Sequence, residues 1–279
     1  MASDIMNILS IDSSTRRLSI AVSQNERLLS ETADYNSMKH MVNIMGLLDR
    51  ALRRAKLTLK DIDVFGVNIG PGDFTSTRIG ISVVKILSWL EEEPAFGINS
   101  LDVFTLGISL KNTSFTARCL KKNIPVLVMP CLDVRKGEVY FAFYNLTSGA
   151  DNIGEYLAEI KTGDRHYYIK KAGENFLIRS DKLKSLLNEL AEGGVLKIPG
   201  CRKEYRNPEI LIGGNCYASY GKILSDITRR NKIFRLDKKT VYPRARYLNI
   251  CAYFNAVRKV KEKNLIPVYV REFVPFGGR

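Results

Sequence analysis

Three short apolar runs precede the first helical pattern of this 279-residue chain, and that order restricts its fold more than any other feature. Asn7-Ile8-Leu9-Ser10-Ile11 reads as a strand, the polar Asp12-Ser13-Ser14-Thr15-Arg16 as a turn, and Leu18 to Val22 as a second strand. Gln24-Asn25-Glu26 turns the chain again before Leu28-Leu29. The spacing then predicts a helix over about 38–56, with Ser37 as its N-cap. Met38, Met41, Val42, Met45, Leu48, Leu52 and Ala55 share one face of it, and Ile44, Leu47 and Ala51 form a second apolar stripe. Asp63 to Ile69 reads as a buried strand ended by Gly70-Pro71-Gly72-Asp73. The next helix, 74–90, is apolar nearly all round. Pro94 to Ile98 reads as a short strand and Leu101 to Leu120 as a third helix. The order β-β-β-α-β-α-β-α predicts a mixed sheet flanked by helices, an α/β fold.

A second unit begins near Ile124. Pro125 to Pro130 and Val139 to Tyr144 are strand-like, with the polar turn 133–138 between them. Residues 151–208 are polar and carry one helical pattern, Asp181 to Leu190. Ile210-Leu211-Ile212 runs into Gly213-Gly214-Asn215, and a last helix is expected at about 245–262. The expected division is a lobe at 1–122 and a lobe at 123–279, with the last helix packing back on the first lobe. No repeat is visible by residue identity.

Composition excludes several classes. No apolar run approaches the roughly 20 residues of a membrane helix, and Met1 to Asp12 lacks an export signal's pattern, so a cytoplasmic protein is expected. Five cysteines at wide spacings, without a CxxC pair, point to free thiols. The charge is uneven: residues 1–140 hold 17 Lys+Arg against 15 Asp+Glu, and residues 141–279 hold 26 against 14. Phosphates of a nucleic acid would suit that excess, as would a merely solvated basic surface.

Three polar turns follow apolar strands, at Asp12–Arg16, Gly70–Asp73 and Gly213–Asn215. Glycine-rich turns at strand ends can aim backbone N–H groups at phosphates, and Asp12 could hold a hydrated metal beside a nucleotide. The plain alternatives are a tight turn and, for Asp73, a helix cap. GxxxxGK[ST], GxGxxG, HExxH and GxSxG motifs are absent. His40 and His166, the two histidines, have no local partners at catalytic or metal-binding spacing, so no independent active site is expected.

Read in order, Ile8 to Thr15, the Gly-Pro-Gly-Asp-Phe-Thr-Ser-Thr-Arg-Ile-Gly run at 70–80, and Gly97 to Leu101 strongly resemble the TsaB (YeaZ) family of tRNA threonylcarbamoyladenosine biosynthesis. The likeness continues through Leu132 to Tyr140, Gly213-Gly214-Asn215, Tyr242-Pro243-Arg244-Ala245 and Ile266 to Arg271. The resemblance implies an actin-like ATPase (ribonuclease H-like) fold of two related lobes. Asp12, Ser13, Ser14 and Thr15 would then face a nucleotide's phosphates, and Gly213, Gly214 and Asn215 its adenosine. It further implies pairing with the catalytic subunit TsaD, an ATPase partner TsaE, and tRNA reached through the complex; for the free chain, homodimer and monomer both stay open. No metal and no cofactor is assigned to this chain itself; ATP or ADP could sit at the interface of the complex. TsaD-like sequences carry a metal-binding His-Leu-Glu-Ala-His run where this chain has Ser100-Leu101-Asp102-Val103-Phe104. Without imidazoles that site is lost.

In this family the first lobe's two helices make the dimer contact. That assigns Met41, Ile44, Met45, Leu47, Leu48 and Ala51 of the first helix to the partner surface, with Arg78, Ile81, Val84, Lys85 and Ser88 of the second. Leu47→Asp or Ala51→Arg is accordingly expected to abolish pairing while leaving the chain folded. The chain departs from the family at Asp73 and Ser76, where glycine-serine-phenylalanine-threonine-glycine is usual, at Asn36, and in the length of 151–208. The leading expectation is a non-catalytic scaffold or activator. A stand-alone ATP-dependent phosphotransferase built on Asp12 and the glycine turns, and direct tRNA binding by the basic second half, are the alternatives.

Overall fold

A computed structural model describes residues 5–35, 40–148, 156–162, 165–239, 242–260 and 265–270; for 40–42, 162 and 165 it describes the backbone alone. Ser37, expected as an N-cap, lies outside the described residues. The chain forms two compact units, one of residues 1–103 with 243–279 and the other of residues 104–242. The division falls within a helix at 103/104 rather than at the expected 122/123, and the C-terminal helix belongs to the first unit.

In the first unit, β1 (Asn7–Asp12), β2 (Leu18–Gln24) and β3 (Arg27–Asp34) form an antiparallel meander. Helix α1 (His40–Ala55), β4 (Val64–Gly70), α2 (Phe74–Glu91) and β5 (Ala95–Asn99) follow. The sheet order is β3-β2-β1-β4-β5, with β4 parallel to both β1 and β5. Both faces are covered, which is why β1, β2 and β4 read as nearly continuous buried runs. On one face Leu9, Ile11, Ile20, Phe65 and Val67 pack with Ile44, Leu47, Leu48 and Ala51 of α1 and Ile81, Val84 and Leu87 of α2. The last helix, Ala245–Val257, packs on β1, β2, β4 and β5 with Ala245, Leu248, Cys251 and Ala252 buried. Gly66 in β4 admits it: a Cβ there would lie 2.2 Å from Ser10 Oγ and 3.3 Å from Ala252 Cβ.

Helix α3 (Ser100–Lys111) crosses into the second unit, and α4 (Thr113–Lys121) follows. The single helix expected over 101–120 breaks at Asn112, whose side chain donates to the Ile108 carbonyl at 2.8 Å. Next come β6 (Val126–Asp133), β7 (Glu138–Thr147), β8 (Ala158–Thr162), β9 (Arg165–Arg179) and α5 (Leu183–Leu190). The short strands β10 (Val195–Leu196) and β11 (Tyr205–Arg206) pair with each other. The unit closes with β12 (Glu209–Gly213), α6 (Cys216–Arg230) and β13 (Phe234–Leu236), so that the Ala245–Val257 helix is α7. The second sheet runs β13-β12-β6-β7-β9-β8. Its strands β9-β7-β6-β12-β13 repeat the order and the parallel and antiparallel pairings of β3-β2-β1-β4-β5. A duplication invisible by residue identity is therefore plain in topology, with β1 equivalent to β6, β4 to β12 and α2 to α6.

Candidate functional site

The β1–β2 turn is closed by its own polar groups. Asp12 is fully buried; its Oδ1 accepts from Ser14 N at 3.0 Å and Ser14 Oγ at 2.8 Å, and its Oδ2 from Asn68 Nδ2 at 3.0 Å. Asn68 is fixed in turn, because its Oδ1 accepts from Gly70 N and Ser100 Oγ, each at 2.8 Å. Burial pushes the Asp12 carboxyl above the usual carboxylate range, against the opposing pull of these hydrogen bonds and of Arg17. Ser13 Oγ donates to the Ser76 carbonyl at 2.6 Å, and the Ser14 carbonyl accepts from Asp73 N at 2.7 Å. The 70–73 turn lies directly on the hairpin: a Cβ at Gly72 would sit 2.2 Å from the Ser14 carbonyl oxygen, and one at Gly80 2.3 Å from Ser13 Oγ. Asp73 caps α2, accepting from Ser76 N at 3.1 Å.

Asp12, Ser13 and Ser14, expected to face a nucleotide, have internal partners here. All three are buried and their polar atoms are engaged within the lobe; only Thr15 and Arg16 reach the surface.

The Gly213-Gly214-Asn215 turn has a similar internal explanation. Gly214 has φ +125°, and a Cβ there would stand 2.1 Å from the Cys131 carbonyl oxygen, while one at Gly213 would meet the Ile108 side chain at 2.8 Å. Both glycines are buried. Asn215 Oδ1 accepts from Asp133 N at 2.8 Å, and the Asp133 carboxylate accepts from Ser219 Oγ at 2.5 Å and Tyr220 OH at 3.3 Å. Burial and the nearby Asp133 carboxylate push the Tyr220 hydroxyl up. Of this turn only Asn215 is part-exposed, and its carbonyl oxygen already has a donor.

On the two helices of the first unit the sequence-assigned partner residues divide. Ile44, Leu47, Leu48, Ala51, Ile81 and Val84 are at most 5% exposed and form the lobe's own core. Met41's side chain lies outside the described residues. Met45, Arg78 and Lys85 are exposed and Ser88 is half-buried, its Oγ donating to the Glu93 carbonyl. The stripe that stays outside is one the sequence reading did not separate: Ile86 is 62% exposed, Trp89 79% and Leu90 59%, with Met45 of α1 at 56%. At the head of α2, Arg78 is stacked 3.9 Å over the Phe74 ring and donates from Nε to Tyr269 OH at 2.7 Å. Trp89, the chain's one tryptophan, was the sequence signal for this surface.

A polar cluster the sequence did not announce lies across β2, β3 and α7. Glu31, 4% exposed, is bound by Arg17, Arg244 and Arg246. Arg17 also reaches the Pro243 carbonyl, and Ser19 Oγ accepts from Ala245 N at 3.0 Å. Among the described residues no group of three or more His, Cys, Asp or Glu side chains could hold a metal ion. Ser100, buried, spends its hydroxyl on Asn68, and Phe104 is buried.

Two lobes, each built on a mixed sheet with the same strand order and flanked by helices, define the actin-like ATPase class of fold. The solved structure of YeaZ from Pseudomonas aeruginosa matches 95% of this chain and 100% of its own length with a TM-score of 0.64 at 18% identity. The family described as TsaD, tRNA N6-adenosine threonylcarbamoyltransferase, matches residues 32–252, and the chain belongs to that family. Curated relatives bear the name tRNA threonylcarbamoyladenosine biosynthesis protein TsaB. The one from Bacillus subtilis is 28% identical over 144 residues, 52% of this chain and 57% of that protein. The one from Buchnera aphidicola subsp. Schizaphis graminum is 25% identical over 239 residues, 86% and 89% of the two chains. The match thus spans just over half of the Bacillus subtilis relative and most of the Buchnera one. No described helix is long and apolar enough to cross a membrane.

Proposed function

We propose that this chain is a non-catalytic subunit in the synthesis of N6-threonylcarbamoyladenosine in tRNAs reading codons that start with A, acting by pairing with a catalytic TsaD subunit through the exposed stripe of α2. The observation that carries the pairing is Ile86, Trp89 and Leu90 left in solvent side by side on a helix whose other face is core. Large apolar groups clustered at a surface mark an interface, and tryptophan is the commonest anchor of one. Met45 of α1 and Arg78 and Lys85 of α2 are exposed as well, and Ser88 is half-buried. Family membership supports the tRNA chemistry. Ser100 and Phe104, standing where catalytic relatives are expected to carry imidazoles, support the absence of a catalytic role for this chain.

Reconstitution with the catalytic subunit, TsaE, threonylcarbamoyl-AMP and unmodified tRNA tests the proposal. The chain alone is expected to form no product, the mixture without it little, and the full mixture to turn over; mass measurement is expected to find a complex containing one copy each of this chain and TsaD. Modification that proceeds equally without the chain would refute the reading. So would ATP turnover by the chain alone that Asp12→Ala removes, which would favour the phosphotransferase. Size measurement of the isolated chain distinguishes monomer from homodimer, and a homodimer would bury the same stripe.

A further inference from the structure

The three arginines gathered on Glu31 exceed what one carboxylate can neutralise, and we propose that Arg244 and Arg246 form a receptor for a phosphate group. Arg17 is 7% exposed and contributes one nitrogen, Nη2, to Glu31, while its Nε is buried with no hydrogen-bond partner. Arg244 and Arg246 each turn Nε and Nη2 toward Glu31, which leaves Nη1 of each uncommitted to that carboxylate. Both side chains are about one-third exposed, at 31% and 34%. Three fixed positive charges against one negative leave an excess of two in a site that is shielded from water on its inner side. Such an excess is stabilised by a further anion. The site is also the start of α7, a 13-residue helix whose N-cap residue, Arg244, makes no side-chain cap hydrogen bond, Ser19 Oγ taking up only the N–H of Ala245. Its N-terminal dipole adds to the same preference. The planar guanidinium fork fits the paired oxygens of a phosphate better than a chloride. The inference goes beyond the pairing proposed above, since the cluster lies on other elements than the α2 stripe.

An RNA backbone and a free nucleotide present the same group, so the probes are inorganic phosphate, ATP and a labelled tRNA transcript. Phosphate is expected to raise the melting temperature of the full chain by roughly 3 °C over chloride at matched ionic strength, and Arg246→Gln to lose that rise. Arg246→Gln leaves Glu31 paired with Arg17 and Arg244, so its fold is expected to survive. Independently of any variant, phosphate is expected to protect Arg244 and Arg246 from phenylglyoxal in the unaltered protein, mapped by mass spectrometry. If the physiological source is RNA, Arg246→Gln weakens transcript binding by about tenfold and lowers the salt slope by about 1. If it is a nucleotide, ATP protects and the transcript does not. A rise no larger than with chloride, an equal rise in Arg246→Gln, or unprotected arginines would overturn the proposal.

Discussion

Replacing Trp89 by Glu should separate pairing from folding. Trp89 is 79% exposed in the isolated chain, so of the roughly 200 Å² a tryptophan can bury, about 160 Å² is still available. At about 25 cal/mol per Å² its complete burial against a partner would be worth about 4 kcal/mol. Part of that gain is offset on association, and interface anchors typically lose about 2 kcal/mol or more on truncation. The expected loss is therefore about 2–4 kcal/mol, a 30- to 1000-fold weaker complex. Stability of the isolated chain should stay within about 0.5 kcal/mol, as expected for an exposed helical position.

Leu47→Asp is the complementary perturbation, and here the structure reverses what the sequence suggested. Leu47 is 5% exposed inside the α1–sheet contact, and its carbonyl already accepts from Thr32 Oγ1 at 3.0 Å. An aspartate there loses the leucine's packing and buries a charge, costing at least about 4 kcal/mol of a typical total of about 5–15. Binding of each variant to immobilised TsaD by interferometry, beside urea unfolding of the same preparations, decides the matter. Trp89→Glu that binds within twofold of the parent, or Leu47→Asp that stays folded and loses only the partner, would refute the reasoning.

Asp12 and the glycine turns give further expectations. Because its native pKa is raised above the unfolded 3.8, Asp12 binds a proton more tightly when folded, and its contribution falls as pH rises from about 4 through the native value. Asp12→Asn removes that slope, so its stability relative to the parent should climb with pH over the same window. It should start from a deficit of about 1–3 kcal/mol, because the amide must point a donor at Asn68 or Ser14; urea midpoints between pH 4 and 8 that run parallel would contradict this. Gly214→Ala, with φ +125° and a Cβ 2.1 Å from the Cys131 oxygen, should cost about 3 kcal/mol or more. Gly137→Ala, with φ +76° and nothing within 4 Å, should cost about 1–2 kcal/mol; equal losses in thermal melts would remove the steric argument. Asn249 is 1% exposed on α7 and neither side-chain atom has a partner. Asn249→Leu should therefore raise stability by about 1–2 kcal/mol, and a lower melting temperature would count against it.

How much of this was legible in the sequence depended on the range of the signal. β1, β2, β4 and β5 announce themselves because apolar runs alternate with turn residues over fewer than ten positions. The hairpin of β8 and β9 does not, since β9 runs through Lys170-Lys171 and Gly173-Glu174-Asn175, and Gly173 takes φ +75° within the strand. Helix α6 was missed as well: Cys216, Leu224 and Ile227 are its buried residues, too few for a clear stripe amid serine, threonine and glycine. The two-faced character of α1 and α2 was visible, but which face meets the sheet is fixed by packing, and that moved Leu47 and Ala51 into the core and Trp89 to the surface. The arginine cluster could not be seen at all, because Arg244 and Glu31 are separated by 213 positions.

The glycine turns show why a motif with phosphate-binding composition need not bind phosphate. β4 and β12 occupy the same place in their two sheets, and a glycine turn follows each. Gly72 lies against the carbonyl of Ser14, just past the end of β1, and Gly214 against the carbonyl of Cys131, near the end of β6, the strand equivalent to β1. In both lobes, then, the fourth strand of the repeat turns into its helix by passing within contact of the first strand's backbone, where no side chain fits. That demand exists with or without a ligand, and it is sufficient reason for glycine at these two positions. The polar residues beside them are similarly used: Asp73 caps α2, Asn215 holds Asp133 N, and Asp12 supplies acceptors to Ser14 and Asn68. A chain can keep this architecture unchanged while function resides on the outer faces of its helices, and among the described residues the groups that this fold leaves outside include Ile86, Trp89 and Leu90 on α2 and the outer edges of Arg244 and Arg246.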